Sequence, residues 1–127
     1  MRRLAFVGAM MAGLVLAGCS GQGDALDDGW KLIAAQDYAA ARGHYQSMLA
    51  GDPDNPYVNL NLGVAYEETG DDEMAAKHYQ VAVATGKEAW IQQVAQDGNV
   101  APRETNVAKI AEENLACLGA NICQAPK

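Results

Sequence analysis

Residues 25–51 read ALDDGWKLIAAQDYAAARGHYQSMLAG, and residues 59–85 read NLNLGVAYEETGDDEMAAKHYQVAVAT. Laid over each other at an offset of 34, they agree at eight of 27 positions. Leu26 meets Leu60, Gly29 meets Gly63, Asp37 meets Asp71 and Ala41 meets Ala75. His44-Tyr45-Gln46 meets His78-Tyr79-Gln80, and Ala50 meets Ala84. The matching residue types have physical sense. A glycine on one helix and an alanine on the next let two helices approach closely, and a tyrosine fills the space beside them. Pro53, just past the first copy, stops its second helix.

A period of 34 with Gly, Ala and Tyr at these places resembles the tetratricopeptide repeat family over residues 25–86. The first copy departs from the pattern, carrying Asp28 and Leu32 where the second has Leu62 and Tyr66, as suits an end unit whose outer face meets water. Lys87 stands where a terminal proline is usual. The resemblance implies an all-α fold of two tetratricopeptide helix hairpins plus a C-terminal capping helix. Periodicity and punctuation put helices at about 25–35, 38–50, 56–69 and 72–85, with Gly70 and Gly86 as stops. Residues 88–94 read as either a short helix or an extended segment. Asp97-Gly98-Asn99 is a turn signal. Val107, Ile110, Ala111, Leu115 and Leu118 recur at helical spacing, so an amphipathic helix is expected from Glu104 to Leu118, ended by Gly119.

The N-terminus reads as an address. Arg2 and Arg3 precede Leu4 to Ala17, an uncharged run of 14 residues. As a helix it rises roughly 21 Å, short of the roughly 30 Å hydrocarbon core, so it suits a signal peptide better than a membrane span. Leu16-Ala17-Gly18-Cys19 resembles a bacterial lipobox. That resemblance implies cleavage after residue 18, lipid on Cys19 and, with Ser20 next, sorting to the outer membrane. The expected division is a signal peptide over 1–18, a lipidated tether over 19–24, two repeats over 25–86 and a capping segment over 87–127. Cys117 and Cys123 remain, and an oxidising compartment favours joining them. The loop is small, so the bond should stabilise by about 2 kcal/mol. Five residues separate the pair and no histidine is close, which gives little support to a metal pair or a redox pair.

The formal net charge is −7, with 16 acidic against 9 basic side chains. Removal of residues 1–18 makes it −9. With no basic stripe to displace counterions, nucleic acid is excluded as a partner. No GxSxG, HExxH, P-loop or dinucleotide fingerprint occurs, so no catalytic residue, metal or cofactor is expected and the chain is read as not an enzyme. His44 and His78 occupy equivalent places, which duplication explains without a metal. Glu67, Glu68, Asp71, Asp72 and Glu73 surround Gly70. They serve either as helix-start carboxylates or as a rim that selects a basic segment.

In the family, the first helix of each repeat lines the face that binds other chains. Carried over, that face holds Leu26, Trp30, Ile33 and Ala34 from the first repeat. The second contributes Tyr57, Leu60, Val64, Glu67 and Glu68. Trp30 and Tyr57 are typical interface anchors, although in so short an array Trp30 also has Trp90 or the capping segment to pack on. The functional expectation is a scaffold lipoprotein on the periplasmic side of the outer membrane, docking one helix or peptide of an envelope protein. It is similar in plan to small tetratricopeptide lipoproteins of pilus assembly and secretion, the tight-adherence type included. Two rival roles are an organiser of peptidoglycan or outer-membrane assembly and a regulatory partner of a cell-wall hydrolase.

Overall fold

A computed structural model describes residues 7–10, 20–96 and 98–120. In chain order the elements are β1 (Val7–Met10), α1 (Ser20–Ala34), α2 (Tyr38–Leu49), α3 (Pro56–Glu68), α4 (Asp72–Thr85), β2 (Trp90–Gln96), β3 (Asn99–Asn106) and α5 (Val107–Ala120). The four repeat helices follow the expected pattern closely, and their ends show why. Asp37 and Asp71, 34 residues apart, cap α2 and α4 through hydrogen bonds from Ala40 N and Met74 N. Asn55 caps α3, accepting from Tyr57 N and Val58 N, with Pro56 in the first turn where its missing N–H is harmless. After α3, Gly70 takes φ +88°; at the equivalent turn after α1, Gln36 takes φ +61°. Each of these turns needs a left-handed residue, which glycine supplies without the steric penalty that Gln36 carries.

The two hairpins, α1–α2 and α3–α4, are locked by their tyrosines. A Cβ on Gly29 would lie 2.5 Å from Tyr45 Cζ, and one on Gly63 would lie 2.6 Å from Tyr79 Cδ1. Each ring therefore lies directly on the opposing glycine backbone, as the repeat pattern expects. Tyr45, Tyr79, Ile33, Leu60, Leu62, Val58 and Val64 form the fully buried centre of the core. Buried hydroxyls need partners. Tyr45 donates to Leu26 O at 3.3 Å and accepts from Asn61 Nδ2 of the next hairpin at 3.0 Å. Tyr79 donates to Glu67 Oε2 at 2.7 Å and accepts from Asn114 on α5.

Asn114 thus does for Tyr79 what Asn61 does for Tyr45. The capping helix α5 stands where the first helix of a third repeat would stand, packed on α4 and α3. Its amides at Val107 and Ala108 donate to Ala89 O (2.8 Å) and Gly86 O (3.2 Å). Gly86 has to be small there, since a Cβ would lie 2.7 Å from Val107 Cγ1 and 2.8 Å from Ala108 N.

The fold is not strictly all-α. Residues 90–106 form an antiparallel hairpin, β2–β3, and β1 adds to it to give a sheet of order β1-β2-β3. Gly98 makes the turn with φ +78°. The extended reading of 88–94 holds and the short-helix reading does not, because Ile91 and Val94 enter the core beside the repeats. The expected start of the last helix at Glu104 is also corrected. Pro102 pairs with Gln93 in β3, and the helix begins at Val107, after Asn106 accepts from Lys109 N. Proline is tolerated because β3 is an edge strand. Gly119 does not end α5, which continues to Ala120. At the other end, α1 takes in Ser20–Asp24, which was expected to be an extended tether. Among the described residues no helix is long and apolar enough to cross a membrane.

Candidate functional site

The face formed by α1 and α3 is where the family binds other chains, and here the sheet lies over it. β1 packs on both α1 and α3, and β2 packs on α1. The start of β2 is fastened by Tyr57, whose hydroxyl donates to Trp90 O at 3.0 Å. Under this cover Ile33, Leu60 and Val64 are fully buried, and Leu26 and Trp30 nearly so. Ala34 and Tyr57 are half-buried. Burial leaves the Tyr57 phenol harder to ionise than usual.

Trp30 has a specific feature. It is only 8% exposed, yet its indole Nε1 finds no hydrogen-bond acceptor among the described residues. A buried indole N–H usually has one. Trp90, the other expected neighbour, is 62% exposed. The face is an apolar trough with one unspent donor.

The acidic residues separate into different jobs. Glu67 is buried with Tyr79 on its Oε2, so it lies inside the second hairpin. Burial foremost, and this carboxylate next, push the Tyr79 phenol far above its usual range. Glu68 is half-buried. Asp71 is a helix cap, with Asp72 and Glu73 in the first turn of α4, where they favour the helix dipole. In the first repeat, Asp27 and Asp28 are taken by Lys31 at 2.7 Å and 3.4 Å.

The histidines tie the two helices of each hairpin together. His44 Nε2 donates to Ala25 O at 2.6 Å. His78 Nδ1 lies 3.0 Å from Asn59 Oδ1, and the Asn59 amide nitrogen itself donates to Pro53 O and Asn55 O. His78 also stacks on Tyr66 with an interplanar angle of 4°, and Arg42 covers the Tyr66 ring at 4.7 Å. Burial, then the Lys77 charge, lower the His78 pKa below its usual value. No group of metal-ligating side chains occurs among the described residues. Cys117 is half-buried on α5, whereas Cys19 and Cys123 lie outside the described residues.

Sequence reasoning did not find the edge of β2 or the role of Asn114. The strand formers Trp90, Ile91 and Val94 just ahead of Asp97-Gly98-Asn99 are the available strand signal. Asn114 follows Asn61 by 53 positions, not 34, because the hairpin is inserted between.

The repeat pattern now meets an independent finding. The tetratricopeptide repeat family matches residues 32–95, just over half of the chain. The chain belongs to the tetratricopeptide repeat family. No curated protein and no solved structure matches it. Repeats of this family generally mediate protein–protein interactions and are non-catalytic, so this tetratricopeptide repeat protein carries an interaction module.

Proposed function

We propose that this tetratricopeptide repeat protein is a lipid-anchored docking subunit on the periplasmic side of the outer membrane. It holds a protein partner within an envelope assembly, of which pilus assembly and secretion systems are the types it resembles. The observation that carries this reading is the join between motif and repeat. Helix α1 begins at Ser20, the residue after the lipobox-like Leu16-Ala17-Gly18-Cys19. Acyl chains on Cys19 would hold the repeats directly at the bilayer, and more than one chain gives stable anchoring. A disulfide between Cys117 and Cys123 fits the same oxidising compartment.

Labelling cells with palmitate tests the anchor. The wild-type chain is expected to take up label and sediment with outer membranes, and Cys19→Ala to do neither. Equal labelling of both, or a wild type in the soluble fraction, overturns the reading. A crosslinked pull-down from intact membranes tests docking, run beside a doubly substituted Trp30→Ala, Tyr57→Ala chain whose helical circular dichroism is intact. One envelope complex lost in that variant is expected. Recovery of the same proteins with both chains removes the repeat face from the site.

A further inference from the structure

Two observations converge on the β2 edge. First, β2 lies between β1 and β3, and on its β1 side it pairs through Gln93, Val94 and Ala95, with Met10, Ala9 and Val7 opposite. Second, β1 seats against α1 and α3, on the face the family uses for binding. Together they show a seat for an extended segment.

We infer that, once residues 1–18 are removed, Gln93–Ala95 becomes an open strand edge that takes an extended, uncharged segment of a partner protein as an added antiparallel strand. This rests on the docking reading above. An exposed strand edge is a template for pairing, and main-chain hydrogen bonds supply affinity in strand addition. The chemistry of the occupant follows from the seat. The helices it packs on, α1 and α3, carry the buried apolar Leu26, Ile33, Leu60 and Val64, and Asp27 on α1 is already paired with Lys31. Small and aliphatic side chains fit, and a charge there would be desolvated without a partner. A second copy of the chain is a poorer occupant, because it offers only the same three-residue edge, flanked by its own α1 and α3.

The probe is a labelled peptide of residues 5–11, AFVGAMM, with an Ala9→Pro version as control. The targets are the processed protein extracted from membranes and the unprocessed full chain. The processed protein is expected to bind the peptide, and the unprocessed chain, whose seat is filled, is not. Amide exchange should slow over Gln93–Ala95 on binding. The proline peptide should bind at least about tenfold more weakly, since proline removes a donor from the ladder. Equal binding of both peptides, no binding, or no slowing at these amides overturns the inference. So does a processed protein that dimerises with the same amides protected, or one that retains residues 1–18 by mass. If the pull-down still yields a partner that the Trp30→Ala, Tyr57→Ala chain loses, docking stands and strand addition alone falls.

Discussion

Gly63 and Gly43 are both helical glycines, and their surroundings are opposite. A methyl on Gly63 would stand 2.6 Å from the Tyr79 ring, whereas nothing lies within 4 Å of one on Gly43. Gly63→Ala is therefore expected to destabilise the protein by about 1–3 kcal/mol through overpacking. Gly43→Ala should stabilise it by up to about 1 kcal/mol through helix propensity. Urea midpoints of the two variants check the contrast, and equal shifts would deny the close approach. His78 gives a pH-dependent case. Its folded pKa is lowered by burial and by Lys77, so the unfolded chain binds the proton more readily. Stability from this group is intact above the unfolded value near 6.5 and declines as pH falls through and below it. His78→Gln should flatten the fall in urea midpoint between about pH 7 and pH 5 relative to wild type. An unchanged slope would mean that His78 titrates normally.

At the scale of elements, α5 is more than a lid. The Asn114–Tyr79 contact repeats the Asn61–Tyr45 contact, so removing either amide takes one of two hydrogen bonds from a buried phenol in the same way. Asn114→Ala and Asn61→Ala are each expected to cost about 1–3 kcal/mol, from the lost hydrogen bond and the space left by a buried side chain. Thermal denaturation of both checks this, and a near-neutral Asn114→Ala would reduce α5 to a loosely packed cover. Helix limits were legible because Asp37, Asp71, Asn55-Pro56 and Gly70 are local signals whose partners lie within a turn. The hairpin β2–β3 was half legible: Asp97-Gly98-Asn99 marked its turn, but WIQQVAQ at 90–96 lacks the strict alternation that separates a strand from a short helix, and the addition of β1 is non-local.

At the scale of the whole molecule, the expected binding face proves to be covered by the chain's own sheet. Leu26, Trp30, Ile33, Leu60 and Val64 were legible as one face, since family spacing puts them on the first helices of the repeats. Their burial was not, because the cover comes from residues 7–10 and 90–96, distant in sequence on both sides. By itself the sequence determined the repeat, its 34-residue period, most of the repeat helix limits and the glycine–tyrosine contacts. All of these arise from spacing within a hairpin or between adjacent hairpins. Only the tertiary structure decided that Glu67 faces inward to Tyr79, that α5 takes the place of a third repeat's first helix, and that a strand lies across the trough. Those depend on which distant segments meet, and long-range packing sets that where local propensity does not.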